Sequence, residues 1–436
     1  MKKYSSLLMF MVGCLLLNAQ KVSFEEYDLS NGLHVILHQD KTAPMVVTSV
    51  LYHVGAKNEE KERTGFAHFF EHLLFEGTKN IERGEWFKLV TSNGGRNNAY
   101  TTDDFTYYYE VFPSNNLELG LWMESERMLH PVINEIGVET QNEVVKEEKR
   151  LRYDNSPYGN WIFEVRKHMF DKHPYKNIPI GKMEHLDAAT LDEFIAFNKK
   201  YYIPNNAVLV VAGDFEMEAT KKMVADYFEE IPRGVTVNFE KIEEKPITSP
   251  KTAEAFDVNI QIPALFTAYR IPEKTSRDSK VLDMISSYLS DGNSSKLYRK
   301  LVDEKKMSLQ VAAFNMSMED YGLYVILSLP LGETTLTSIS KEIDEEVKKI
   351  QSDLISEKDF EKLLNKFESD FVDSNGSVEG IANSLAEYYA IYGDTELINS
   401  EIDIYRSITR EEIRVVANKY LNPNQRLTLN YLPKSN

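Results

Sequence analysis

The chain has 436 residues, with 50 basic against 68 acidic side chains and a formal net charge of -18. Apolar residues make up 42% and charged residues 27%, ordinary globular values that exclude wholesale disorder, and the acidic balance argues against nucleic acid, whose phosphates need clustered Lys and Arg. The single cysteine, Cys14, excludes both a disulfide framework and a thiolate metal site, so any metal must rest on His and carboxylates. A chain of this length predicts two domains or one large one.

Lys2 and Lys3 precede the apolar run Leu7 to Leu17, and Ala19 offers a small residue at a cut. Residues 1–19 therefore read as a secretory signal peptide, which implies an exported, most simply periplasmic, protein. The run Met11-Val12-Gly13-Cys14 offers a second mode, a lipoprotein anchored through Cys14. No later stretch reaches the roughly 20 apolar residues that a membrane span needs.

Beyond the signal, Leu33 to His38 after the Asn31-Gly32 turn and Met45 to Val54 have strand character. A helix is expected over Phe66 to Phe75, closed by Gly77, then strand over Tyr100 to Phe112 and helices over Leu117 to Leu129 and Val138 to Leu151. The segment Thr190 to Pro204 (TLDEFIAFNKKYYIP) recurs as Thr409 to Pro423 (TREEIRVVANKYLNP). Each opens on a capping box, Thr190 with Glu193 and Thr409 with Glu412, and runs on into strand-like sequence. A period of about half the chain implies a duplicated domain, since solenoid repeats run about 20–50 residues. The expected fold is α+β, with two homologous domains, each a mostly antiparallel sheet packed by helices. Their bounds are 20–232 and 251–436, joined by a linker at 233–250.

The chemistry concentrates in His68-Phe69-Phe70-Glu71-His72. On a helix, His68 and His72 share one face and Glu71 points to the same side. Two imidazoles and a carboxylate suit zinc, with a fourth position for water and Glu71 as the base that takes its proton. The neighbouring Phe66, Phe69 and Phe70 leave open an ordinary core role for the two histidines. The motif by itself lacks a third ligand.

The order H-x-x-E-H is the inverzincin signature. With Gly65 to Thr78, Gly94-Gly95 followed by Asn98, Ala99, Thr101, Asp104, Thr106 and Tyr107, and Tyr202, Pro204, Asn206 and Gly213-Asp214, the sequence resembles peptidase family M16. Within it the likeness is to the short two-domain branch of mitochondrial processing peptidase and paired bacterial subunits. The resemblance implies a zinc metallopeptidase with Glu71 catalytic. It makes Glu148, at the end of Val144-Val145-Lys146-Glu147-Glu148, the third ligand beside His68 and His72, with Glu147 a one-residue-slip rival. It implies extended peptide binding at Asn98, Ala99 and Thr101. Two departures stand out. A glutamate that the family carries two helical turns before the ligand is Gln141 here, an amide that can hydrogen-bond but carries no charge to support the ligands. An Arg and a Tyr that stabilise the oxyanion fall at Val302 and Leu309, after Ser294-Ser295-Lys296-Leu297-Tyr298, while Tyr298 and Arg299 face elsewhere. The expectation is a heterodimer in which a zinc-less related subunit supplies both groups; a self-sufficient homodimer and a non-catalytic scaffold are the alternatives.

Overall fold

The computed structural model describes residues 21–434. The expected signal segment, residues 1–19, and Cys14 within it lie outside the described residues. Two sheets organise the chain. The first contains β1 (Glu25–Asp28), β2 (His34–Gln39), β3 (Met45–Tyr52), β4 (Arg96–Thr101), β5 (Thr106–Pro113) and β6 (Ala207–Gly213), in the order β1-β2-β6-β3-β5-β4. The second contains β7 (Lys251–Asp257), β8 (Ala264–Ile271), β9 (Ser308–Ser317), β10 (Gly322–Pro330) and β11 (Arg426–Pro433), in the order β7-β11-β8-β10-β9. Apart from the extra β1 the two orders match strand for strand. Each has one parallel pair, β2 with β6 and β7 with β11, in an otherwise antiparallel sheet.

The repeated segments are helices in both halves, Leu191–Tyr201 and Arg410–Tyr420, and both capping boxes form. No helix or strand interrupts residues 232–250. The expected strand over Tyr100 to Phe112 is instead two strands, β4 and β5, turned at Thr102. The Thr102 hydroxyl accepts from the Asp104 and Phe105 amides, and the Thr102 amide donates to the Phe105 carbonyl, which closes a tight hairpin. The helix expected from Phe66 to Phe75 stops at Leu73, and the one expected from Val138 starts at Glu135, where Asn134 accepts from the Gly137 amide.

β3 and β6 are buried on both faces. Val46 and Val50 face one core while Val47 and Leu51 face another, following the period of two. The second of these cores holds Ile381, Ala382 and Leu385, from a helix of the second half (Val378–Glu387). Reciprocally, Val165 and Met169 of Trp161–Met169, from the first half, pack against Phe266, Leu323 and Leu427 of the second sheet, and Trp161 stacks on Phe266 at 5.0 Å. Each half thus covers the other's sheet. At roughly 1.5–3 kcal/mol per buried aliphatic side chain, this exchange is worth several kcal/mol to the union of the halves.

The β4–β5 and β9–β10 turns meet in a polar junction. The Glu319 amide donates to Asp104, Lys57 lies 3.2 Å from Asp104 and 2.5 Å from Glu319, and Arg166 holds both oxygens of Asp103 at 2.7 and 2.8 Å. Among the described residues no helix is long and apolar enough to cross a membrane.

Candidate metal centre

The helix that carries the motif, α1 (Phe66–Leu73), is short and two-faced. Phe66, Phe69, Phe70 and Leu73 recur at helical spacing on a buried face. Phe66 stacks on Phe194 at 4.6 Å and Phe70 on Phe197 at 5.5 Å, which anchors α1 to the helix Leu191–Tyr201. The phenylalanines therefore occupy the core, and His68, Glu71 and His72 project from the other face.

Eight residues make too few internal hydrogen bonds to hold a helix in place alone. Polar groups outside the motif, half-buried at one end and buried at the other, clamp both ends. Glu59 accepts from the Gly65 amide at 2.8 Å and the Ala67 amide at 2.9 Å, which satisfies two free donors of the first turn. Gly65 sits at φ 97°, a left-handed conformation that favours glycine. Burial pushes the Glu59 carboxyl well above its usual range, against the pull of those amides. At the other end Tyr108 donates to the Phe70 carbonyl at 2.9 Å and Arg127 to the Leu74 carbonyl at 3.1 Å. Arg127 is fully buried, paired with Glu110 and Glu124, with its guanidinium carbon 4.1 Å from the Trp86 ring centre and 4.3 Å from that of Tyr108. Burial and the charge of Glu124 push Glu110 up, against Arg127.

The second contributor is α2 (Glu135–Lys149), anchored by the buried Val145. Gly137 allows its close approach to α1, since a Cβ there would meet Leu73 at 3.3 Å. At the far end of α2, Glu148 Oε2 lies 3.1 Å from His72 Nε2 and 3.4 Å from His68 Nε2. This oxygen has no hydrogen-bond partner despite its burial, so the three donor atoms converge without satisfying one another. That is the arrangement of a ligand set aimed at a common point, and its two-nitrogen, one-oxygen chemistry suits zinc. Burial opposes ionisation of Glu148, but the two adjacent imidazoles outweigh it and hold its carboxyl well below the usual range. Arg152 binds the other oxygen at 2.8 Å. Glu147 is exposed and pairs with Arg150 at 3.1 Å, away from the cluster.

Glu71 accepts from the Thr101 hydroxyl at 2.7 Å, which ties α1 to β4. β4 is the last strand of its sheet and pairs only with β5, so its outer edge is open among the described residues. Ala99 is buried in the core below α1, Asn98 is exposed, and Thr101 lies between. Gln141 donates to Glu76 at 2.5 Å, and its carbonyl oxygen is buried without a partner; none of its hydrogen bonds goes to His68, His72 or Glu148. Val302 packs against the second half's core and Leu309 is exposed on β9, so neither reaches the cluster with a donor. Arg299 pairs with Glu304 at 3.4 Å, and Tyr298 packs on the second core. Glu59, Arg127 and Arg152 were not singled out by spacing. Of these only Arg152 carried a local signal, four residues after Glu148.

Residues 34–178 match the family Insulinase (Peptidase family M16), and residues 188–367 match Peptidase M16 inactive domain. The second match begins before β6 and so takes in part of the first sheet. The chain is 29% identical over 419 residues to the zinc protease PqqE of Helicobacter pylori, covering 93% of this chain and 92% of that protein. It is similar to the crystal structure of a protease from Helicobacter pylori, with a TM-score of 0.89 and 28% identity over 94% of this chain and 99% of the other. The first half of the periplasmic protease PqqL of Escherichia coli shares the fold at a TM-score of 0.77 and 18% identity, over 95% of this chain and 92% of that one. With two adjoining family matches and an end-to-end likeness in sequence and fold, the chain belongs to the M16 peptidase family.

Proposed function

We propose that this protein is an exported zinc metallopeptidase subunit that hydrolyses peptides or unfolded polypeptides. The observation that carries this reading is the convergence of His68, His72 and Glu148 beside Glu71, at the open edge of β4. His68, His72 and Glu148 would hold a zinc ion, which would supply Lewis-acid chemistry to a water molecule and the scissile carbonyl. The open N–H and C=O groups of β4 hold the peptide extended, as an added strand. Thr101 donates to one oxygen of Glu71 and leaves the other to take a proton from the attacking water. Glu71 then delivers that proton to the leaving amine. Arg152 engages one oxygen of Glu148 and turns the other to the histidines.

The side chains at Val302 and Leu309 have no hydrogen to donate to an oxyanion, which favours completion by a related subunit over a self-sufficient homodimer. Export rests on residues 1–19 and on the periplasmic relative. The test is peptide cleavage by zinc-loaded wild type and Glu71→Gln, each alone and mixed with a zinc-less homologue. Glu71→Gln should lose on the order of 10²–10⁴-fold in kcat while keeping zinc. Cleavage only in the mixture supports the heterodimer, and full activity of the lone chain removes it. No cleavage in any mixture, with zinc bound, refutes the enzyme.

A further inference from the structure

The second half does not repeat the metal centre. Its helix Arg277–Ser290 follows β8 as α1 follows β3, but Lys280 there pairs with Glu401 and Tyr405 donates to Asp283 at 2.9 Å. Among the described residues these side chains join no ligand set. The turn between β7 and β8 gives this half a different part, because it grips the chain just beyond Glu148.

Glu148 stands in the last turn of α2, the part of a helix that frays. Directly after it the backbone widens: the Asn155 amide donates to the Arg150 carbonyl at 2.8 Å, spanning five residues where an α-helix spans four. Single turns of this kind are rare and concentrate at functional sites. Three bonds then tie segment 154–158 to the second half. The Asn259 side-chain amide donates to the Asp154 carbonyl at 2.9 Å, the Tyr158 amide to Asp257 Oδ2 at 3.0 Å, and the Tyr158 hydroxyl to the Ile262 carbonyl at 2.7 Å. Asp257 is itself fixed, since it is buried and its Oδ1 accepts from the Asn259 backbone amide at 2.7 Å. Asp154 carries the constraint back toward the ligand. Its carboxylate oxygens lie 2.6 and 2.8 Å from the ammonium of Lys149, the residue next to Glu148.

The backbone at Tyr158 shows how firmly this segment is held. Its φ of 60° is left-handed, an outlier for a bulky side chain that persists only where the surroundings impose it. The exchange of helices between the halves already joins them through apolar burial, so these largely exposed hydrogen bonds add little to that union. What they fix is the course of the chain after the third ligand. Resting on the metallopeptidase reading above, we propose that the β7–β8 turn clamps that ligand: Asn259 and Asp257, acting through Asp154 and Tyr158, hold the end of α2 so that Glu148 meets His68 and His72. These four are positioning residues, and the half without a ligand set contributes to metal binding by preorganising the other half's site.

The test sets zinc affinity against stability in Asn259→Ala, an exposed substitution, and in the same variant with Tyr158→Gly. Glycine adopts φ 60° freely, so the added change removes the hydroxyl's bond without forcing the turn. Dissociation constants come from chelator competition, and melting temperatures from zinc-free protein. Loss of a group that orients a ligand weakens metal binding by about 10–100-fold. About tenfold is expected for Asn259→Ala and more for the double variant, with the zinc-free melting temperature unchanged. Lys21→Ala breaks a contact between the halves elsewhere, with Glu396, and should bind zinc as the wild type does. Unchanged affinity in both clamp variants overturns the clamp. So does an equal loss in Lys21→Ala, or a loss matched by a lower zinc-free melting temperature, either of which means general loosening. In each case zinc binding and cleavage by the wild type leave the peptidase reading standing, whereas a wild type that binds no zinc overturns both.

Discussion

The two halves share one strand order and one helix placement, yet only the first gathers His68, His72 and Glu148, and the second fills the matching place with Lys280, Asp283, Glu401 and Tyr405. In the first half a buried carboxylate oxygen is left without a hydrogen-bond partner, beside two imidazoles. In the second, the charged groups are closed into pairs. The lesson is that the fold fixes where a site can lie, while the chemistry depends on whether the polar groups there are left unsatisfied.

Several variants would break or sharpen that contrast. The largest effect is expected from His72→Ala, which should take zinc from about one per chain to near none and abolish activity, because a two-ligand site binds metal poorly. Asp283→Asn, at the matching place in the second half, should leave zinc content unchanged. Elemental analysis of both proteins decides it, and equal zinc in His72→Ala and wild type would sink the ligand assignment.

Next is Glu59→Ala, which strands the Gly65 and Ala67 amides at the start of α1. A cost of about 1–3 kcal/mol is expected, read as a lower melting temperature. Zinc affinity, measured by chelator competition well below that temperature, should fall too, since the two proposed ligand histidines ride on the loosened helix. An unchanged affinity would reduce Glu59 to a structural cap.

Thr101→Val removes one hydrogen bond from Glu71 and keeps the shape of the side chain. The expected loss is up to about tenfold in kcat, from roughly 0.5–1.5 kcal/mol, with zinc content and KM preserved. A change in KM alone would move Thr101 from the proposed catalytic carboxylate to substrate contact.

The smallest effect concerns the junction that unites the two unlike halves. Burial opposes ionisation of Glu319 and Asp320, but His53 and Lys57 on the first, and His173 and Lys57 on the second, outweigh it and hold both carboxyls below their usual values. A depressed carboxyl contributes stability above its unfolded value of about 4, and loses it as pH falls through the folded value. The melting temperature should therefore drop on acidification below about pH 4. Glu319→Gln should melt lower at neutral pH and lose less in acid, and an identical acid profile for variant and wild type would exclude this pair.

What the sequence determined by itself was everything carried by short periodicities. The H-x-x-E-H spacing puts His68, Glu71 and His72 on one helical face, and the phenylalanines at the complementary spacing define the buried one. The twin capping boxes at Thr190 and Thr409 mark the duplication, because a cap is a contact across three residues. The break at Thr102 was legible only in part: Thr-Asp-Asp is turn chemistry, but the aromatic alternation on either side masks it. Tertiary structure alone decided the rest. Glu59 sits in the run Glu59-Glu60-Lys61-Glu62, which reads as solvated charge, and only the folded chain half-buries it against the start of α1. The resemblance favours Glu148 with Glu147 as a one-residue rival, and in the folded chain consecutive positions of α2 point apart, so that Glu147 meets Arg150 in solvent and Glu148 the histidines. The exchange of helices between the halves involves residues hundreds of positions apart. A linear pattern carries no record of such pairings, because they are set by how whole elements pack and not by the spacing within any one of them.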